Sequence, residues 1–400
     1  MQNYQYTARD DFGKVVRGRM IAEDETDLAN KISKLGYFMV RSKVIAATAK
    51  AARPSRLKPR DVLNFTIHLA TMLDAGVPLV AALRDLARDA EREEIQRIID
   101  DLRFRVESGS SFKEALVFHS RSFSNLYVGV VGAGESTGRI VPCLNDLSTL
   151  LEWQLDLKAK IKEAATYPII LFSVMLGVVI LLVVKVIPTF EPIFQDAGVD
   201  LPLPTQIVLG ISHMVRQYWY IFVGIVILSV AGYRFYYSKP TGRYMIDGLK
   251  LRFPLFGLLL RKVAISRFCH TFTLALKAGV NVLAAMDIAR EVIGNTRLEH
   301  AVAKARDSVN VGEKIATSLQ ISGEIPPMVI RMIGVGEQSG ALPLTLDKVN
   351  QFYDREVPAT IRRIFALFEP MMIVVMGLIV GVVALSIFLP LFQMAQLIEK

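Results

Sequence analysis

The sequence predicts a mainly α-helical membrane protein built on a duplication. It comprises two tandem cytoplasmic helical bundles of about six helices each, three transmembrane helices and a small N-terminal α/β module. Three observations carry this reading. Residues 60–190 slide onto the second half at a nearly constant offset, each copy ends in an apolar run of membrane length, and residues 3–45 have no copy downstream.

The offset is 202 where Gly134-Glu135-Ser136-Thr137-Gly138 meets Gly336-Glu337-Gln338-Ser339-Gly340, Pro168 meets Pro370 and Pro188 meets Pro390. Upstream it is 203: Phe65 meets Phe268, Ala75-Gly76-Val77 meets Ala278-Gly279-Val280, and the stripe Ile95, Ile99, Leu102, Val106 meets Leu298, Val302, Ala305, Val309. So long a shared spacing marks a tandem repeat.

The N-terminal module reads as short β-prone runs over 4–8, 15–21 and 38–44 around a helix from Glu25 to Leu35 that stops at Gly36. An Ala- and Lys/Arg-rich linker follows over 46–58. The first repeat, 59–168, opens with Phe65, Leu69, Met72 and Leu73 on one helical face, ending at Gly76 with Pro78 beyond. Its counterpart carries Phe268, Phe272, Ala275 and Leu276 and ends at Gly279. Ser111 to Glu114 and Thr296 to Glu299 both show the S/T-x-x-E pattern of a reciprocal helix cap.

The apolar runs are Ile169–Pro188 and Met371–Pro390. A twenty-residue helix rises about 30 Å, enough to cross the hydrocarbon core. Two copies of one domain on the same side require an even number of crossings between them, so a further span is expected at 218–236, where Trp219 to Phe235 is apolar with aromatic ends. That leaves a loop at 189–217, a second repeat at 237–370, a third span at 371–392 and a tail at 393–400. Pro168 and Pro370 sit where repeat becomes span, and there a proline either starts a helix or kinks a continuous one.

Basic residues set the expected orientation. Arg216 is the only Lys or Arg from 189 to 217, whereas Lys158, Lys160 and Lys162 precede the first span, Arg234, Lys239, Arg243, Lys250 and Arg252 follow the second, and Arg355, Arg362 and Arg363 precede the third. The positive-inside rule then puts the N-terminus and both repeats in the cytoplasm, and the loop and C-terminus in the periplasm. The first residues lack the apolar core of a cleavable signal, so the first span is expected to direct insertion. A hydrophobic fraction of 52% with 21% charged residues fits spans joined to large polar domains. The net charge of +9 is concentrated beside the spans and suits the lipid bilayer's acidic headgroups; no nucleic-acid motif accompanies it. Cys143 and Cys269 fall on the cytoplasmic side, where thiols stay reduced.

Candidate chemistry is sparse. The GESTG and GEQSG segments are not phosphate loops, because Arg139 and Ala341 stand where a P-loop needs Lys. One reading makes Gly134 and Gly336 left-handed helix caps, with Gly138 and Gly340 closing the turn and Glu135 and Glu337 lying before the next helix; the other turns the two glutamates toward a partner. Lys185, one turn from the outer end of the first span, either snorkels to the headgroups or marks an intramembrane function. Cys269-His270 cannot converge on one metal from a regular helix, and no catalytic set, metal or cofactor is assigned.

Duplicated helical domains carrying AGVPL and GExxG, the YP and EP before spans one and three, and a Leu201-Pro202…Thr205 loop together resemble the type II secretion F / type IV pilus inner-membrane platform family over nearly the whole chain. The resemblance implies a non-enzymatic, homo-oligomeric protein of the bacterial inner membrane. Its partners would be a cytoplasmic hexameric assembly ATPase, pilins or pseudopilins and other inner-membrane assembly proteins. The rival class is an oligomeric transporter or channel component, against which stand three spans with almost no polar groups.

Overall fold

A computed structural model describes residues 2–9, 15–22, 24–34, 36–44, 56–196 and 202–398. Residues 46–55 of the linker expected at 46–58, Leu201 and the last two residues lie outside the described residues.

The N-terminal module is a three-stranded antiparallel sheet, β1 (Gln2–Arg9), β2 (Val15–Ala22) and β3 (Phe38–Val44), in the order β2-β1-β3. Tyr4, Tyr6 and Ala8 alternate onto the buried face of β1, where Leu28 and Ile32 of α1 (Glu25–Lys34) complete a small separate core.

Each repeat contains a matching set of six helices, the last running on through the span, and in the second repeat this set is preceded by one further helix, Pro240–Arg252. The first is α2 (Pro59–Asp74), α3 (Leu79–Arg88), α4 (Glu93–Glu107), α5 (Phe112–Val117), α6 (Asn125–Ser136) and α7 (Ile140–Leu181). The second is α11 (Phe256–Lys277), α12 (Val282–Glu291), α13 (Thr296–Asn310), α14 (Ile315–Ile321), α15 (Pro327–Ser339) and α16 (Leu342–Ile398). Gly76 and Gly279 end their helices at φ 82° and 84°, the left-handed turn that a Cβ disfavours. One apolar core runs through both repeats, with Phe65, Leu69, Phe123 and Tyr127 on one side and Phe268, Phe272, Val302 and Ile333 on the other. Each such side chain contributes about 1.5–3 kcal/mol by leaving water.

Contacts also join the repeats at their surface. Trp153 of α7 stacks on His270 of α11 with ring centroids 4.0 Å apart. Trp153 Nε1–H donates to Asp354 Oδ1 of α16 at 2.7 Å, and His270 Nε2 lies 3.0 Å from the same oxygen.

Three described helices are long and apolar enough to cross a membrane. The first span leaves α7 through a π-helical stretch, Leu182–Val186, into α8 (Ile187–Asp196). The second is the C-terminal part of α9 (Leu203–Tyr237), and the third is the end of α16. Their large apolar side chains are mostly exposed, as lipid-facing residues are.

Two local expectations are corrected. The segment 189–217 is not a loop in its described part: α9 begins at Leu203 and kinks at Tyr218, which has φ −118° and ψ 17°. Thr205, Val208, Leu209 and Ser212 form its buried stripe, packed near Ile187 and Val383. Thr205 Oγ1 donates to the Ser386 carbonyl at 2.7 Å and Ser212 Oγ to the Val183 carbonyl at 2.5 Å. Where water is scarce, such hydroxyls find partners on neighbouring helices. The Thr296 capping box is absent because Asn295 is the N-cap, its Oδ1 accepting from Arg297 N–H and Leu298 N–H at 3.1 and 3.3 Å. Thr296 N–H and Oγ1 turn instead to Asp247 Oδ2, at 3.0 and 2.8 Å. The Ser111 box is present: Ser111 N–H donates to Glu114 Oε2 at 3.0 Å and Glu114 N–H to Ser111 Oγ at 3.1 Å.

Candidate functional site

The GExxG corners end α6 and α15, and each of their three fixed residues does a different job. Gly134 and Gly336 are helical, so the left-handed caps are not theirs. They are places of close approach. A Cβ on Gly134 would lie 2.9 Å from Cys143 Sγ and 3.1 Å from Ile140 Cα; on Gly336 it would lie 2.2 Å from Thr345 Oγ1 and 2.9 Å from Leu342 Cα. The missing side chain lets α6 lie against α7, and α15 against α16. Gly138 and Gly340, at φ 69° and 68°, make the left-handed turns. The N–H groups that follow, of Arg139 and Ala341, return to the Gly134 and Gly336 carbonyls at 2.7 and 2.9 Å, closing each helix end.

The half-buried glutamates sit in the last helical turn, not between helices, and reach back to an earlier element. Glu135 Oε1 and Oε2 accept from the Phe112 and Lys113 N–H groups of α5 at 2.7 and 3.0 Å. Glu337 repeats the fork on α14, accepting from Ile315 and Ala316 N–H at 2.8 and 3.2 Å. The first N–H groups of a helix have no partner inside it and carry partial positive charge, so a carboxylate is well suited to hold them. With Ser111 serving Glu114, the first three N–H groups of α5 are all satisfied.

At the far ends of these short helices, Phe118 and Ile321 occupy equivalent positions and are 65% and 75% exposed. Arg105 lies over the Phe118 ring, 3.7 Å from its centroid. The sequence offered no sign of this pair, because exposure of one apolar residue in a helical repeat depends on the packing around it.

Pro168 and Pro370 lie inside continuous helices, α7 and α16. Each removes the hydrogen bond to the carbonyl four residues earlier, that of Ala164 and Ala366. Both alanines line a cavity of about 240 Å³ between α7 and α16, together with Tyr167, Arg362, Phe365 and Glu369. Lys185 is exposed within the π-helical stretch. Among the described residues, no group of three or more His, Cys, Asp or Glu is placed to hold a metal ion.

The duplication recurs in comparison with known proteins. The family model of type II secretion system (T2SS) protein F matches twice, over 65–188 and 268–390, so its two copies start 203 residues apart and end 202 apart. The chain is 39% identical to the type IV pilus assembly protein PilC of Thermus thermophilus over 402 residues, covering 98% of each. It is 36% identical to PilC of Myxococcus xanthus, covering 99% of this chain and 96% of the relative. To the type II secretion system protein F of Pseudomonas aeruginosa it is 31% identical over the full length of both. A double family match in the register of the repeat, with relatives of both kinds aligned almost end to end, shows that the chain belongs to the type II secretion system protein F family.

Proposed function

We propose that this protein is an integral inner-membrane platform of a type IV pilus or type II secretion machine. Without catalysing a reaction itself, it couples a cytoplasmic assembly ATPase to the insertion of pilin-like subunits into a fibre. The names of its relatives support the setting: they are called pilus assembly and secretion proteins. The basic residues beside the spans support repeats in the cytoplasm and a periplasmic C-terminus.

The observation that carries the mechanical part is helix continuity. α7 runs 42 residues from the first repeat into its span, and α16 runs 57 residues from the second. With one core through both repeats, a displacement applied to either is delivered to the membrane without a flexible joint. The duplicated glutamates serve this indirectly, fixing α5 and α14 so that Phe118 and Ile321 are presented on rigid supports to the ATPase.

A photoreactive residue at Phe118 or Ile321, introduced one at a time in cells, tests the reading. Capture of the assembly ATPase is expected. Capture of intrachain neighbours alone at both positions removes these helix ends as the coupling surface.

A further inference from the structure

α10 (Pro240–Arg252) has no counterpart in the first repeat, and its two faces differ in kind. The inner face is fixed to the second repeat. Gly242, Asp247, Gly248 and Leu251 are buried, and the Asp247 carboxylate accepts from Thr296 N–H at 3.0 Å, Thr296 Oγ1 at 2.8 Å and Lys250 Nζ at 3.0 Å. Met245 and Leu249 each stand two residues from Asp247, about 200° round a helix, and so project from the opposite face. Leu249 is 68% exposed, and Met245, Phe253, Leu255 and Leu258 are exposed beside it.

The height of this apolar strip is fixed at both ends. At one end Tyr236, which closes the second span, donates from Oη to Met245 Sδ at 3.2 Å. A Cβ on Gly242 would lie 2.1 Å from the Tyr236 carbonyl, so α10 turns sharply off the end of α9. At the other end Phe256 packs edge-on against Phe368, ring centroids 5.9 Å apart, two residues before Pro370 and the third span. The strip therefore runs between the ends of two spans, at their own level.

The corner itself is tightly made. Leu255 is the one non-glycine among the described residues at positive φ, 66°, and the Phe256 N–H donates to the Pro254 carbonyl at 2.8 Å across it. That three-residue turn is rare and strained. Here it holds an exposed leucine outward. Charge points the same way: Arg234, Lys239 and Arg252 are exposed around the strip, while Asp247, the only acidic residue from 232 to 260, is turned inward.

We propose that α10 and the α10–α11 corner lie in the lipid interface of the leaflet nearest the repeats. Met245, Leu249 and Phe253 enter among the acyl chains, and Lys239 and Arg252 meet anionic headgroups. An exposed apolar face flanked by basic residues and continuous with the lipid-facing surface of a span matches that environment. The second repeat is thereby docked on the bilayer surface, and the first, lacking α10, is not. The proposal requires that the spans cross the bilayer and is independent of any ATPase.

The test is a nitroxide on a cysteine placed at Met245 or Leu249 of the full chain, in nanodiscs of phosphatidylethanolamine and phosphatidylglycerol; Gln96 on exposed α4 serves as the reference. Buried Cys143 and Cys269 leave the introduced thiol as the labelled one. At 245 and 249, relaxation by oxygen should exceed relaxation by a water-soluble nickel chelate, with the order reversed at 96. Nickel-dominated relaxation at 245 and 249 would place the face in water and overturn the proposal. An immobile label shielded from both agents would place it against protein, a second copy included, and overturn it equally.

Discussion

The Tyr167 hydroxyl lies 3.4 Å from Glu369 Oε1, and the two residues occupy the same position in the two copies of the repeat, 202 residues apart. α7 and α16 thus make a symmetric contact at matching positions, one residue before Pro168 and Pro370. The symmetry is local. Trp153 bonds to Asp354, 201 residues away, and His270 joins them without an equivalent, since Ile67 stands at its place in the first copy.

The glutamate forks should be structural supports of measurable size. Glu135→Ala and Glu337→Ala each leave two helix-terminal N–H groups without their charged acceptor, which should cost about 1–3 kcal/mol. Gln should retain part of this. Thermal unfolding of the detergent-solubilised protein checks it, and unchanged melting in both alanine variants would remove the support.

The glycines of each corner should fail differently. Gly336→Ala sets a Cβ 2.9 Å from backbone at Leu342, so overpacking of about 1–3 kcal/mol is expected, and Asn should be worse. Gly340→Ala meets open space but is strained at φ 68°, and Asn, which tolerates that conformation, should recover much of the loss. Stability of the four variants distinguishes the two roles.

Both native thiols should be unreactive in the folded protein. Burial pushes Cys269 up to about 12. Cys143 is raised first by burial and then by the Asp146 charge. The thiolate is the nucleophile, so maleimide at pH 8 should modify neither until denaturant is added. Mass spectrometry of the labelled chain reads this directly.

The Trp153–Asp354 contact should couple the repeats. Trp153→Phe and Asp354→Ala are expected to be non-additive by about 0.5–3 kcal/mol in a double-mutant cycle, as contacting residues are. Additivity would mean that this contact does not couple the repeats.

Much of the architecture was legible because a duplication doubles every signal. Stripes such as Ile95 to Val106 and Leu298 to Val309 mark helices at matching offsets, and two apolar runs mark the first and third spans, between which the duplication requires the second. What escaped depends on distant partners. Glu135 is defined by Phe112 and Lys113, more than twenty residues upstream, and Thr296 leaves the N-cap to Asn295 and bonds instead to Asp247, 49 residues away. Two glycines close together at one helix end cannot be told apart by type, because close packing and positive φ both select glycine. The start of α9 has no clear helical signal in the sequence, because its stripe mixes Thr205 and Ser212 with Val208 and Leu209, and the facing carbonyls of Ser386 and Val183 make those hydroxyls suitable there.

Rigid transmission from repeat to span is tested most directly by breaking α7 alone. A flexible Gly/Ser insertion of about six residues between Ala165 and Thr166 leaves both the repeat and the span intact but disconnects them. Fibre assembly in cells should be lost, while membrane insertion and co-purification of the ATPase persist. Wild-type fibre assembly by that variant would contradict the coupling.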